Sequence, residues 1–191
     1  MSVSSALGLA LLAVVLTYGV LIYNGLVRLK HNVARAWSNI DVLLKQRHDE
    51  LPRLVEVCRH YKQFEQDTLV RVSEARARVA AAREAHDVPA LGAAEGQLRS
   101  GVDRLFALAE AYPELKANEH FMRLHSRITA LENAIADRRE WYNESVNVHN
   151  IRIEQFPDLL VARLFGYATQ PLLRFSAAEK ANVSMNALLR A

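Results

Sequence analysis

The sequence predicts an all-α protein, with a single N-terminal transmembrane helix followed by an antiparallel, up-and-down four-helix bundle. Ala, Leu, Arg and Glu dominate the chain and favour helices, while Gly and Pro number only 7 and 5 among 191 residues. No stretch alternates apolar and polar residues between turn signals, as a strand would. Long segments instead repeat apolar residues every three or four positions, which is the period of a buried helical stripe.

The first predicted element is a membrane anchor over residues 1–23. Residues 1–27 contain no charged side chain, and the apolar run of residues 6–23 can cross a hydrocarbon core about 30 Å thick. A cleaved signal peptide is disfavoured, because no basic residue precedes the run and no Ala-x-Ala follows it. Basic residues begin at Arg28, whereas the first acid is Asp41. Because Lys and Arg stay on the cytoplasmic side, we expect the N-terminus outside and the remaining chain in the cytoplasm.

Residues 24–156 form the predicted bundle, which begins with helix A. This helix continues the membrane helix, since nothing between Tyr23 and Leu44 would stop it. Its apolar stripe consists of Leu26, Leu29, Val33, Trp37, Ile40 and Leu44. Pro52 lacks an amide proton and clashes with the preceding turn, so we expect a tight turn there and a new helix. A kinked, continuous helix is the alternative.

Helices B and C follow Pro52. Helix B should carry one apolar face made of Leu54, Cys58, Tyr61, Thr68, Val72, Ala75 and Val79. Helix B is expected to end near Asp87, Pro89 and Gly92, residues that favour a turn and the start of the next helix. The apolar positions of helix C are Leu91, Leu98, Val102, Leu105, Leu108 and Ala109.

Helix D is expected to run from Pro113 or Asn118 to Phe156. Pro113 pushes Tyr112 out of the α region, so this pair ends helix C and makes helices C and D close neighbours. The stripe of helix D alternates spacings of three and four over several heptads, as in bundle packing. It consists of Phe121, Leu124, Ile128, Leu131, Ile135, Tyr142, Val146, His149 and Ile153.

The C-terminal segment, residues 157–191, should return to the membrane if four helices run up and down. Its apolar and aromatic stretch, with Arg163 and Arg174, suits the bilayer surface. The alternative is that Leu160, Leu164 and Phe165 cap the open end of the bundle. Residues 176–191 are expected to form a loose tail.

Composition and motifs disfavour several functional classes. The net charge of +3 and the lack of an Arg/Lys block with interleaved aromatic residues argue against nucleic-acid binding. Cys58 is the single cysteine, so no intrachain disulfide or thiolate metal cage is possible, and we expect it in the core. Glu-x-x-His and His-Glu-x-x-His motifs are absent, as are nucleophile-elbow and phosphate-loop sequences. We therefore expect no enzyme activity, metal or cofactor.

One set of polar residues flanks the apolar seam of the predicted bundle. On helix D a polar residue recurs every seven positions, and helices A and B offer charged residues in similar positions. The candidate residues are Asn118, His125, Glu132 and Arg139, with Asn143 nearby, and Asp41, Arg47, Glu65 and Arg76. We expect paired polar groups that fix helix register. A groove for a small ligand or peptide is the alternative.

Four stretches of the chain resemble the LemA family. They are YNGLVRLKHNVARAWSNIDVLLKQRHDELPRLVE, EAYPELKANEHFMRL, LENAIADRREWYNESV and FPDLLVARLFGY, in family order and spacing. The resemblance implies a single-pass protein of the bacterial inner membrane with a soluble four-helix bundle, and no established reaction or cofactor. This chain departs from the family pattern where Arg53 follows Pro52 and where His149 precedes Asn150. At this point, near the end of helix D, the family pattern has a second Tyr-Asn pair, and this chain has His149-Asn150 instead.

The leading functional hypothesis is a membrane-anchored scaffold or adaptor of the cell envelope. It would present helix faces to other membrane proteins or to copies of itself, so its expected partners are the lipid bilayer, membrane proteins and a homo-oligomer, without nucleic acid. The second hypothesis is a regulator of envelope stress or signalling that binds a small ligand or peptide along the polar seam.

Overall fold

The structure, a computed structural model, describes residues 3–61 and 64–174, and its regular elements in that part of the chain are all helices. They are α1 (Val3–Arg59), α2 (Gln66–Glu84), α3 (Val88–Ala109), α4 (Pro113–Lys116), α5 (Glu119–Glu154) and α6 (Asp158–Leu164). The all-α prediction is thus confirmed. The expected tail of residues 176–191 lies outside the described residues.

The contacts divide the chain into two units. Unit 1 consists of Met1–Trp37 and Trp141–Pro171, and unit 2 consists of Ser38–Glu140 and Leu172–Ala191. In unit 2, α2 and α3 pack against each other, and buried leucines from α1, α3 and α4 form much of the core. In unit 1, Ile22 and Leu26 pack with Ile153 and Ala162. The predicted boundaries at residues 23 and 156 stay predictions.

Helix α1 begins with the predicted membrane anchor. Within the described residues it is the helix long and apolar enough to cross a membrane, and nearly all of that apolar window is exposed. Leu7, Leu12 and Leu16, for example, are all more than half exposed. An exposed apolar helix of this length is unfavourable in water and favourable in lipid.

The turn expected at Pro52 is wrong, because α1 runs through this proline to Arg59. Proline in a helix removes the hydrogen bond to the carbonyl four residues earlier, which here belongs to His48. That carbonyl accepts a hydrogen bond from Nε of Arg76 on α2 at 2.9 Å. The guanidinium of Arg76 therefore replaces the donor that Pro52 lacks, and the alternative of a continuous helix holds.

The face predicted for helix B is consequently split between two elements. Leu54 and Cys58 belong to α1, Tyr61 lies in the connection, and Thr68, Val72, Ala75 and Val79 form the buried face of α2. The sequence pattern predicts one helix because both halves keep the helical period.

The later helix ends follow the predicted local chemistry. The Asp87 side chain accepts a hydrogen bond from the Ala90 amide at the start of α3, with Pro89 in the first turn. Pro113 opens α4, and Asn118 Oδ1 accepts from the amides of His120 and Phe121 at the start of α5. Both predicted starts of helix D are therefore used, one by α4 and one by α5.

Gly92 has a packing role inside α3 rather than the predicted turn role. A Cβ atom at this position would lie 2.5 Å from the backbone oxygen of Arg174. Only glycine allows the chain at Arg174 to approach the helix so closely. The neighbouring Leu173 is almost completely buried, so this residue is part of the core of unit 2.

Helix α6 ends in a Schellman motif at Gly166, whose φ is 70°. The Gly166 amide donates to the Arg163 carbonyl at 3.3 Å, and the Tyr167 amide donates to the Ala162 carbonyl at 2.9 Å. Tyr167 and Ala162 also meet in the apolar cluster of unit 1, the hydrophobic contact typical of this motif. These two hydrogen bonds and the left-handed Gly166 therefore end α6.

Candidate functional site

Three charged residues of unit 2, Arg47, Glu95 and Glu132, form a cluster between helices, called here the charged cluster. A guanidinium nitrogen of Arg47 on α1 lies 2.5 Å and 2.6 Å from the two carboxylate oxygens of Glu95 on α3. Arg47 and Glu95 are 2% and 4% exposed. The other terminal nitrogen of Arg47 is 4.0 Å from Oε1 of Glu132 on α5. One buried guanidinium thus faces two carboxyl groups from two other helices.

Glu132 is the group of this cluster with an altered proton affinity. Burial raises the pKa of its carboxyl to about 7, against the smaller lowering effect of Arg47. Its Oε1 is buried and makes no hydrogen bond within the described residues. Glu132 can therefore hold or release a proton near neutral pH, while Glu95 balances the charge of Arg47.

Three other predicted seam residues pair with residues outside the predicted set. Asp41 lies 3.5 Å from Arg83, and Glu65 lies 3.0 Å from Arg104. Arg76, besides its bond to the His48 carbonyl, contacts Nε2 of His48 at 2.7 Å. Burial and the Arg76 charge lower the pKa of His48, which favours the neutral ring that can accept from a guanidinium.

The remaining predicted residues have separate surroundings. Asn118 caps α5 and donates from Nδ2 to the Tyr61 hydroxyl at 3.4 Å. The His125 ring packs against Phe106, with 4.2 Å between ring centroids. Arg139 is buried in unit 2, whereas Asn143 is half-buried in unit 1. The structure thus joins Arg47 directly with Glu132, and it distributes the other predicted residues over several local arrangements.

Sequence reasoning missed Glu95 and Glu50. Glu50 is buried on α1 and lies 2.9 Å from Arg127 of α5. Glu95 lies four residues after Leu91 and three before Leu98, so it occupies a position in the apolar stripe of helix C. A charged residue at a stripe position is the signal that could have identified it, because such a residue needs a buried partner.

Unit 1 contains a second polar arrangement, in which residues 168–171 lie along α5 as a C-terminal strap. The Asn150 side chain donates to the Gln170 carbonyl at 2.9 Å and accepts from the Gln170 amide at 2.8 Å. The Tyr142 hydroxyl donates to the Pro171 carbonyl at 3.1 Å, and Nε2 of His149 lies 3.3 Å from the Ala168 carbonyl. The pair His149-Asn150, where the chain departs from the family pattern, thus still binds backbone.

The described residues hold no group of three or more His, Cys, Asp or Glu side chains that could bind a metal ion. Cys58 is completely buried, as expected for a core residue, and burial raises the pKa of its thiol to about 12. An open groove of about 310 Å³ lies beside Pro52, between α1 and α2, with Arg59, Ser73 and Arg76 among its lining residues.

Comparison with known proteins gives relatives of two kinds. The chain is 22% identical over 168 residues to magnetosome protein MamQ 2 of Paramagnetospirillum magneticum, covering 76% of this chain and 62% of the MamQ chain. It is 21% identical to magnetosome protein MamQ of Magnetospirillum gryphiswaldense, again covering 62% of that protein. It is 24% identical over 169 residues to protein LemA of Metamycoplasma hominis, covering 86% of this chain and 74% of that one.

The family model described as the LemA family matches residues 36–186. This match takes in most of α1 beyond the apolar run, all of α2 to α6 and the C-terminal strap. It contains every predicted polar seam residue, from Asp41 to Asn143. The chain therefore belongs to the LemA family.

Proposed function

We propose that this protein is a membrane-anchored helical scaffold of the bacterial cell envelope, with an antiparallel four-helix body in the cytoplasm. Family membership and the apolar N-terminal helix indicate a membrane-associated helical protein. The scaffold would hold its helices in a fixed arrangement and present their outer faces to other membrane proteins or to copies of itself, without catalysing a reaction.

The observation that carries this proposal is the pairing of charged residues between helices within unit 2. Arg47 with Glu95, Arg127 with Glu50 and Arg83 with Asp41 each join two different helices. Arg104 of α3 pairs with Glu65, the residue directly before α2. Arg47–Glu95 is the one of these four pairs in which both side chains are buried. A buried pair adds little net stability, but it can specify which helices meet and in which register. Side chains used in this way serve the architecture rather than a substrate.

Exposed apolar side chains in unit 2 are the candidate contact points for partners. Val42, Val70 and Met122 are each about half exposed. Each has an exposed basic residue close by in sequence, namely Lys45, Arg71 and Arg123. These pairs allow a matched comparison of apolar and polar positions on the same helices.

The test is photo-crosslinking in cells with the full-length chain. A photoreactive amino acid replaces Val42, Val70 or Met122 in one series, and Lys45, Arg71 or Arg123 in the control series. We expect defined cross-linked species, containing either a second copy or a membrane protein, from at least one apolar position and weaker ones from its control. If neither series gives a defined species, the scaffold proposal is wrong.

A second function, a regulator that binds a ligand or peptide at the polar seam, is favoured by one observation. Oε1 of Glu132 is buried without a hydrogen bond in the described part of the chain, and its carboxyl titrates near neutral pH. The double variant Glu132→Gln, Arg139→Gln separates the two functions. Loss of cellular function with unchanged thermal stability would favour the regulator, and a lowered melting temperature would favour a structural seam.

A further inference from the structure

Helix α6 has its polarity reversed relative to a helix on a water-soluble protein. Its buried residues are Asp158 and Ala162, which lie on one face because they are four residues apart. Leu160 and Leu164 lie on the opposite face and are 59% and 78% exposed. The flanking Phe156 and Phe165 are 80% and 56% exposed. The apolar side chains thus point outward, and an acid points inward.

The inward acid is neutralised within unit 1. Oδ1 of Asp158 lies 2.5 Å from Nε of Arg152 on α5. Ala162 packs with Ile22, Leu26 and Ile153, together with the half-buried Val161 and Tyr167. These contacts cap the apolar cluster of unit 1, whereas Leu160, Leu164 and Phe165, the caps in the alternative given above, are more than half exposed. The exposed leucines are therefore not needed to complete this core.

The position of α6 is fixed at the end of the apolar run of α1. The Phe165 ring packs against Tyr23, the last residue of that run, with 4.6 Å between ring centroids. Ile22, one residue earlier, belongs to the cluster that Ala162 covers. The outer face of α6 thus begins where the exposed apolar surface of the anchor ends, and the two surfaces are continuous in unit 1.

Basic side chains lie at the same level of unit 1. Arg28 and Lys30 follow Tyr23 by one to two helical turns, and Arg163 is exposed between the outward leucines. An open groove of about 420 Å³ between α1 and α5 is lined by Arg28 and Arg152 together with Leu29 and Ile151. A mixture of apolar and cationic side chains matches the boundary between lipid headgroups and acyl chains.

We infer that the outer face of α6, Leu160 and Leu164 with Phe156 and Phe165, is a second membrane contact that inserts into the bilayer surface beside the anchor. The occupant of this face is lipid, because the face continues a membrane-spanning surface and carries cationic neighbours. This inference rests on the membrane anchoring in the proposed function. It adds that the chain touches the bilayer at two places separated by most of the sequence.

Spin labels on the full-length protein in vesicles of phosphatidylethanolamine and phosphatidylglycerol test this contact. Single cysteines replace Leu160 or Leu164, with Val70 of unit 2, an apolar residue that is 51% exposed, as the control. Cys58 is changed to alanine, and circular dichroism verifies the helix content. We expect labels at 160 and 164 to collide several-fold more with oxygen than with a water-soluble nickel chelate, and the label at 70 to show the reverse.

A label at Leu12, in the anchor, separates failure of this inference from failure of the anchor itself. Oxygen-accessible labels at 12 with nickel-accessible labels at 160 and 164 would overturn the second contact alone. Labels at 160 and 164 shielded from both reagents would also overturn it, because protein would then cover the face. A nickel-accessible label at 12 would overturn the anchor and the inference built on it.

The unaltered protein offers a second measurement. Vesicles containing a lipid with a photoreactive acyl chain are irradiated, and the adducts are mapped by mass spectrometry. We expect adducts on residues 156–165 as well as on the anchor. Adducts confined to the anchor would contradict the inference, whatever the behaviour of the cysteine variants.

Discussion

Units 1 and 2 differ in where they place charged and apolar side chains. Unit 2 encloses Arg47, Glu95 and Glu132 among leucines, whereas unit 1 leaves Leu160 and Leu164 on its outside. A buried charge needs a specific partner, because desolvation is costly and only good geometry offsets it. An exposed leucine instead needs an apolar environment outside the protein, such as lipid. We therefore propose that internal charge pairing gives unit 2 its specificity, and that the exposed apolar surface of unit 1 is adapted to lipid.

The largest effect should come from breaking the charged cluster of unit 2. Replacing Arg47 by Met leaves two buried carboxyl groups without their cation, which should cost about 3–5 kcal/mol of the free energy of unfolding. Denaturant unfolding of the full-length protein in detergent, followed by circular dichroism, measures this loss. The control is Arg71→Met, which removes an exposed pair with Asp67 at 2.8 Å and should cost about 1 kcal/mol or less.

Adding Glu95→Gln to the Arg47→Met variant should recover part of the loss, since one uncompensated carboxylate is then gone. If Arg47→Met costs no more than Arg71→Met, the internal pairing does not distinguish unit 2 from its surface.

The second effect is a pH dependence specific to Glu132. Its pKa is raised from 4.5 to about 7 in the folded protein, so the folded state holds the proton more tightly. Its contribution to stability is fully present below pH 4.5 and is lost as pH rises to about 7, a change of about 3 kcal/mol. Glu132→Gln stays neutral and should remove this dependence, because it cannot ionise.

Unfolding free energies measured between pH 4.5 and 8 should therefore diverge, with the Gln variant more stable at the upper end. The difference between the two proteins isolates Glu132 from other titrating groups such as His48. A difference that is the same at every pH would show that burial does not hold the proton on Glu132.

The third effect concerns Pro52, which has no backbone N–H to donate to the His48 carbonyl, so that Arg76 donates there instead. Arg76→Ala should cost about 1 kcal/mol, because the partly buried His48 carbonyl loses its donor. In a Pro52→Ala background the restored amide can serve that carbonyl, so the same change should cost less. Thermal or denaturant unfolding of the four proteins gives the coupling energy. Strictly additive effects would mean that Arg76 acts there only through packing or charge.

The smallest effect belongs to unit 1, where the C-terminal strap depends on neutral hydrogen bonds. Asn150→Ala removes both bonds to Gln170 and should cost about 1 kcal/mol. Hydrogen exchange of the Gln170 amide reports it directly and should become faster. Asn150→Asp keeps an acceptor for that amide and should protect it more than alanine does. Equal exchange in wild type and the alanine variant would contradict the strap.

Local signals explain which parts of the fold were predictable. Asp87 and Asn118 accept hydrogen bonds from backbone amides three residues later, and Pro113 fixes its own φ. The sequence around these residues is therefore sufficient to place helix ends. The helical period likewise predicted the buried stripes, because it depends on one helix at a time.

Long-range compensation explains what was missed. The His48 carbonyl, which receives no hydrogen bond from Pro52, accepts one from Arg76 in a different helix. No pattern in the sequence around Pro52 predicts such a bond. The pairing of Arg47 with Glu95 joins two helices in the same way, and only the stripe position of Glu95 hinted at it. The outward leucines of α6 were recognised as apolar, but their direction depends on the contacts of Asp158 and Ala162.

The burial of Cys58 has a practical consequence for any assembly of this protein. The chain has one thiol, and its pKa of about 12 leaves almost none of it ionised in the cell, so air oxidation and alkylation at this position are very slow. Copies of the folded chain are thus not joined by a disulfide. Any association between folded copies is therefore expected to depend on non-covalent contacts.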